Sequence, residues 1–153
     1  MNSKRTYIRD GRAPIPKKAV TSKIMSAIRS RNTKPELLLR RKLWQDGLRG
    51  YRLHWNKVPG RPDIAFPGKK IAIFVNGCFW HRCPHCNPSM PKSNIKFWKM
   101  KFDKNVKRDA VKLSLLKNQG WTTIIFWECQ LKDNLKDSVN KVRQLLAKHA
   151  IKV

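Results

Sequence analysis

The segment Gly60–Gly77, GRPDIAFPGKKIAIFVNG, decides how the rest of the chain is read. Asp63 to Phe66 and Lys70 to Val75 are rich in apolar and β-branched residues, and Pro67-Gly68 lies between them. That pattern predicts two strands joined by a tight turn. Ile71-Ala72-Ile73-Phe74-Val75 is apolar at every position, so both of its faces need cover and it is expected at the centre of a sheet. Upstream, Pro59, Gly60 and Pro62 mark a turn. Before that turn Tyr51, Leu53 and Trp55 alternate with Arg52 and His54, as in a half-buried strand. Downstream, Gly77 to Pro91 reads as a loop rich in Cys, His and Pro, and Trp121 to Trp127 as another buried strand.

Helical patterns surround these strands. Thr33 is placed as an N-cap, with Pro35 just inside the helix and Glu36 three residues after the cap. This helix is expected to run to about Asp46, with Gly47 ending it and Leu37, Trp44 and Leu48 turned to the core. A long helix is predicted from Ser93 to Asn118, with Phe102, Val106, Ala110, Leu113 and Leu116 as its apolar stripe. Leu135, Val139, Val142 and Leu146 give a final amphipathic helix, and Ile24, Met25 and Ile28 suggest a short one over Ser22–Arg29. Residues 1–21, basic and without apolar period, read as a flexible arm or a merely solvated tail. The expected fold is a single α/β domain over 22–153, a mixed sheet flanked by helices.

Charge narrows the function. Lys and Arg number 35 against 9 Asp and Glu, a formal net charge of +26. Self-repulsion on this scale points to a polyanionic partner, nucleic acid first and an anionic membrane surface second. The hydrophobic content of 41%, with six Trp, excludes a disordered basic tail protein and is enough for a core. No stretch approaches the ~20 apolar residues of a membrane-spanning helix. The basic N-terminus lacks the apolar segment of a secretory signal, so the expected location is the cytoplasm.

Cys78, Cys83, Cys86 and Cys129 are then better metal ligands than disulfide partners. Cys78-x4-Cys83-x2-Cys86 lies in one loop, and Cys129 follows a buried strand. Soft thiolates at this spacing favour zinc in a closed structural site, with His85 an alternative ligand to Cys86.

Because acids are scarce, each one is informative. Asp63 follows a tight turn at the start of a strand, and the next strand ends in Val75-Asn76-Gly77. A Pro-Asp on one strand and a polar pair on the next resembles the skeleton of restriction-endonuclease-like nucleases, which implies carboxylates on adjacent strands holding a Mg²⁺ that activates water. A turn-capping aspartate is the plain alternative. The second acid and the lysine usual in such sites are absent, and Val75 offers only a backbone carbonyl. His81 can act as a general acid or base near neutral pH. Asn105, Arg108 and Asp109 share a helix face, as an internal network or with Arg108 on a phosphate. Glu128 is read as a partner of a lysine or a support for Cys129.

The ordered blocks Arg31-Asn32-Thr33-Lys34-Pro35-Glu36, Pro59-Gly60-Arg61-Pro62-Asp63 and Asn76-Gly77-Cys78-Phe79-Trp80-His81 carry a resemblance. So do Cys83-Pro84, Phe97-Trp98, Asn105-x2-Arg108-Asp109, Gly120-Trp121 and Trp127-Glu128-Cys129. Together they resemble the very short patch repair (Vsr) DNA mismatch endonucleases over roughly Met25 to Cys129. The resemblance implies a restriction-endonuclease-like fold, a structural zinc, and a Mg²⁺-dependent nick 5′ to the T of a T:G mismatch. It implies Mg²⁺ on Asp63 and the Val75 main-chain oxygen, His81 near the attacking water, and Glu36 as a helical acid near the site. It gives Phe79, Trp80 and Trp98 as wedges beside the mismatch, where intercalation unstacks and kinks the duplex. Core packing is the alternative for all three. Arg61 is expected on the DNA.

Two departures stand out. The family usually has His or Asp where this chain has Asn76, which cannot transfer a proton at pH 7 but can orient a water or phosphate. Cys83 and Cys86 stand where some relatives use His. The expected partner is double-stranded DNA with a T:G mismatch, acted on by a monomer. Mismatch-repair proteins and a companion cytosine methyltransferase are further partners implied by the resemblance. The competing expectation is a zinc-stabilised nucleic-acid binder with weak or no catalysis.

Overall fold

The computed structural model describes Ile24 and residues 30–150. The expected arm over 1–21 and, apart from the exposed Ile24, the expected helix over Ser22–Arg29 lie outside the described residues. In chain order the elements are α1 (Lys34–Gln45), β1 (Arg52–Leu53), β2 (Ile64–Phe66), β3 (Ile71–Asn76), α2 (Cys78–His81), α3 (Ile95–Asn118), β4 (Thr122–Trp127), α4 (Glu128–Asp133) and α5 (Leu135–Ala150). The sheet order is β1-β2-β3-β4. The first two pairings are antiparallel, and β3 and β4 run parallel from Ile71↔Thr122 to Asn76↔Trp127. Parallel neighbours need a crossover, which α3 supplies. The result is the mixed α/β sheet that the sequence predicts.

Both faces of β3 are covered, as its unbroken apolar run requires. On one face Ile71 and Ile73 join Ile64, Phe66 and Phe126 under Leu39 and Leu43 of α1, Leu131 of α4, and Val139 and Val142 of α5. On the other, Ala72 and Phe74 meet Leu116 of α3, with Leu113, Trp121 and Ile125 alongside. β4 is an edge strand, and only Phe126 in it is fully buried, so it is less enclosed than its apolar sequence predicts. Pro67–Lys69 forms one 3-10 turn between β2 and β3 and closes with Lys70 at φ 50°.

Several elements differ from the sequence expectation. In α1 the core-facing residues are Leu39 and Leu43. Trp44 is 54% exposed with the Arg49 guanidinium 4.4 Å above its ring, while Leu37 and Leu48 are half-buried. Thr33 does cap the helix in extended geometry, but no side-chain bond closes a capping box. Glu36 is buried and turned elsewhere. In α3 the buried residues are Phe102, Asp109 and Leu116, seven apart, while Val106 and Ala110 face solvent. The apolar-stripe rule fails there because the middle of α3 packs on polar groups. β1 is short and exposed, since His54 turns to φ 47° directly after it. The expected loop after Gly77 begins with a helical turn, α2, which ends at Arg82 with φ 54°.

Candidate active site and metal centre

Chain geometry around Asp63 follows from β1–β2 pairing. The ladder Arg52↔Ala65, Leu53↔Ile64 continues as a bond from the His54 N–H to the Asp63 carbonyl, 3.0 Å, and from the Trp55 N–H to the Pro62 carbonyl, 3.2 Å. The turn between them carries Gly60 at φ 75° and Arg61 at φ 47°. Gly60 is required twice over. Its φ is left-handed, and a Cβ there would stand 2.8 Å from the Lys112 side chain. Arg61 is exposed, and its Nε donates to the His54 carbonyl at 3.2 Å, tying the turn to β1.

Asp63 is partly buried and accepts a 2.8 Å bond from the Val75 N–H. Burial pushes its carboxyl above the ordinary aspartate range, and the nearby Glu36 carboxylate adds to this. The Val75 N–H, His54 and Lys112 pull the other way. Glu36, which is 1% exposed, approaches from α1. Donor atoms of Glu36, His54 and Asp63 all lie within 4.8 Å of one another. His54 Nε2 is 3.1 Å from Glu36 Oε1, and Arg40 Nη1 is 3.6 Å from the same oxygen. None of these contacts has hydrogen-bond geometry, so Oε1 is a buried oxygen without a bonded partner. A buried acid pair with an orphan oxygen fits a hard cation, which would reverse the repulsion between the carboxylates. His54 is the member that sequence reading missed. The alternating pattern puts it on the polar side of a strand, and the one signal for it is its place nine residues before Asp63 across a turn.

A second polar group lies beyond the end of β3. Asn76 is buried and Gly77 caps α2, whose last residue is His81. His81 Nδ1 is 2.5 Å from Asp109 Oδ2 on α3, and Lys112 Nζ is 2.9 Å from Asp109 Oδ1. Burial alone would raise the Asp109 carboxyl, but the His81 and Lys112 contacts outweigh it and hold the group below its ordinary value. An ionised Asp109 can only accept, so His81 Nδ1 carries the hydrogen of this contact. Lys112 also lowers the Asp63 carboxyl, so it is electrostatically shared between the two groups. The α3 network therefore includes Asp109, with Arg108 Nη2 donating to Asn105 Oδ1 at 3.2 Å and Asn105 Nδ2 to the Trp80 carbonyl at 3.1 Å.

Aromatic rings pack beside this network. Phe79 sits edge-on to Trp80, Trp98 and Phe102 at 5.1, 5.6 and 5.2 Å, and Trp98 stacks on Phe102 at 5.6 Å. Phe102 is buried, while Phe79, Trp80 and Trp98 are half-exposed. Lys101 Nζ lies 5.7 Å from the Trp80 ring.

The cysteines meet on the other side of α2. β3 and β4 pair at Asn76↔Trp127, and Cys78 and Cys129 each lie two residues further on. Sulfur atoms of Cys78, Cys83, Cys86 and Cys129 all fall within 4.8 Å of one another. Cys83 Sγ and Cys129 Sγ are 3.7 Å apart. A tetrahedral site with Zn–S bonds of ~2.3 Å has edges of about 3.8 Å, so the set fits zinc in spacing and in ligand softness. The Cys129 N–H donates to Cys78 Sγ and the His85 N–H to Cys83 Sγ, both at 3.4 Å. His85 itself is exposed and contributes its backbone to the cluster. Without metal, burial and the crowded sulfurs of Cys78 and Cys83 push the Cys129 thiol up to about 11. Glu128 beside it pairs with Lys132 at 2.9 Å.

A mixed sheet that sets a Pro-Asp turn against a buried helical acid, with a four-cysteine cluster just past the paired ends of β3 and β4, defines a restriction-endonuclease-like fold with two places for metal. The family profile of DNA mismatch endonuclease Vsr matches residues 14–87. The type II nicking enzyme V.XorIIP of Xanthomonas oryzae pv. oryzae is 40% identical over 110 residues, covering 72% of this chain and 80% of that protein. V.NaeI of Lentzea aerocolonigenes is 38% identical, covering 86% of this chain and 80% of its own. DNA mismatch endonuclease Vsr of Escherichia coli K12 is 39% identical over 125 residues, 81% of this chain and 79% of that one. The chain belongs to the Vsr family of DNA mismatch endonucleases, hydrolases that act on DNA. Among the described residues no helix is long and apolar enough to cross a membrane.

Proposed function

We propose that this protein nicks one DNA strand 5′ to the T of a T:G mismatch, in the bacterial cytoplasm, by Mg²⁺-dependent hydrolysis, with zinc held by Cys78, Cys83, Cys86 and Cys129. The observation that carries the reading is the buried Glu36–Asp63 acid pair, with Glu36 Oε1 unbonded, in a chain of formal net charge +26. Two carboxylates this close in a chain this basic are hard to account for by stability alone, because like charges raise each other's cost of ionisation.

Asp63 and Glu36 would hold the cation, with the Val75 main-chain oxygen as the further ligand that the resemblance implies. When bound, Mg²⁺ supplies a polarised water and neutralises charge developing on the phosphate. The remaining steps belong to the chain. Asp109 holds the Nδ1 side of the His81 ring, and Nε2 would accept the water's proton. Asn76 donates or accepts through its amide and orients a water or a phosphate oxygen without changing charge. Phe79 and Trp98 pack on Phe102, Trp80 packs on both of them, and these three rings would enter a weakened base step. Arg61 and the surface lysines bind phosphates and make affinity fall steeply with salt.

The test compares T:G and T:A duplexes with Mg²⁺. The wild-type protein should nick the thymine strand of the mismatch alone, and Asp63→Ala should not. Equal nicking by that variant would remove Asp63 from the site. A second reading, a mismatch binder with little catalysis, is favoured by the neutral Asn76. Tight T:G binding without nicking in Mg²⁺ or Mn²⁺ would establish it.

A further inference from the structure

We infer that His54 is a third side-chain ligand of the catalytic cation, giving a mixed nitrogen–oxygen site that takes Mn²⁺ in preference to Mg²⁺. This rests on the reading of Glu36 and Asp63 as a cation site.

Three observations support it. The first is the contact between His54 Nε2 and Glu36 Oε1, 3.1 Å long but without hydrogen-bond geometry. Two ligands at adjacent corners of an octahedron with bonds of ~2.1 Å are about 3.0 Å apart. The pair therefore has the separation of atoms that converge on a shared third centre. The second is the closeness of all three donors, within 4.8 Å, with Asp63 completing the triangle. The third is the backbone. His54 holds φ 47°, an uncommon conformation for a side-chain-bearing residue, and Arg61 braces its carbonyl from across the turn. Strain of this kind persists where the surroundings over-determine a side chain's direction, and it concentrates at functional sites.

Other charges near the imidazole do not supply an equivalent role. Arg40 already stands 3.6 Å from Glu36 and donates to Asn32 Oδ1 at 2.7 Å, so Glu36 has a cationic neighbour without His54. Asn32 Oδ1 is 3.5 Å from His54 Nε2, at the limit of a hydrogen bond. An imidazole nitrogen is a poorer match to Mg²⁺ than to Mn²⁺ or later divalent ions, which sets the direction of the preference.

The experiment is pulsed electron paramagnetic resonance of Mn²⁺ on the zinc-loaded full chain carrying ¹⁵N-histidine, alone and with the nicked product duplex. Only protein histidine then gives a ¹⁵N coupling. The expected result is a ¹⁵N coupling in the wild type that disappears in His54→Asn, chosen because Asn tolerates positive φ. That variant should retain its melting temperature and bind Mn²⁺ at least about tenfold more weakly, the lower bound known for losing even a residue that only supports a ligand. Its loss of Mg²⁺ affinity should be smaller. Mn²⁺ that is lost in Asp63→Ala but never shows ¹⁵N coupling, or a coupling that survives in His54→Asn, overturns the inference and leaves the cation site standing. Mn²⁺ binding that is indifferent to Asp63→Ala overturns the cation site itself.

Discussion

The two metal-ready clusters are built on opposite principles. Four cysteines form a closed set of soft donors, complete in themselves, and three of them come from one short segment. Glu36, His54 and Asp63 form an open set of harder donors drawn from α1, the end of β1 and the start of β2. The cysteine cluster locks the ends of β3 and β4 together through Cys78 and Cys129. The acid cluster does the reverse. It concentrates like charge, leaves Glu36 Oε1 unbonded, and sits on a turn with two side-chain-bearing residues at positive φ. One region should therefore stabilise the fold, and the other should strain it in favour of chemistry.

The strongest way to break this comparison is to remove the zinc proposed for the cysteine cluster. Chelation, or Cys83→Ser, should unfold or loosen the protein, because structural zinc contributes folding free energy of about 10 kcal/mol in the best-studied small sites. Calorimetry with and without chelator checks this, and an unchanged melting temperature would end the structural role. Asp63→Asn should show the opposite profile. Nicking should fall by at least about a thousandfold. The melting temperature of the metal-free protein should stay level or rise, because a buried carboxyl with a raised pKa is gone. A large fall would make Asp63 a fold residue instead.

Trp98→Ala sharpens the comparison on the DNA side. Stacking on a base contributes ~1–3 kcal/mol, so affinity for a T:G duplex should drop by about tenfold or more with little change for a matched one. An equal drop on both would assign Trp98 to packing around Phe102. The smallest effect concerns Asp109. Its folded pKa is lowered, so its contribution to stability is full above the unfolded value of about 3.9 and is lost as pH falls through the lower folded value. Asp109→Asn should therefore be less stable than wild type at pH 7, and the gap should close in acid. Thermal melts across that range measure it, and a gap independent of pH would mean that the charge is not the cause.

The sequence displayed these regions unequally. Cysteine spacing exposes the soft cluster because few other arrangements call for those residues so close together. The strand run from Ile71 to Val75 places the sheet centre, and α5 follows its periodicity. Reading failed where a polar site replaces the core. In α3 the buried position is Asp109 and the expected Val106 and Ala110 face solvent, because that stretch of helix packs on His81 and the Gly60 turn. Lys112 escaped notice because one lysine among so many carries no signal. Spacing makes Glu36 a cap partner as well as a site acid, but in the fold it is buried beside Asp63 and caps nothing.

By itself the sequence determined the mixed α/β class and the polyanion partner, and it singled out the four cysteines and Asp63 as candidate site residues. These follow from composition, period and short-range spacing, which act along the chain. Only the tertiary structure brought His54 to Glu36, paired Lys112 with Asp109 while its charge also acts on Asp63, and joined His81 to Asp109. Those contacts join elements that pair across turns and crossovers, and their distances depend on how the sheet and helices pack, which no local pattern encodes.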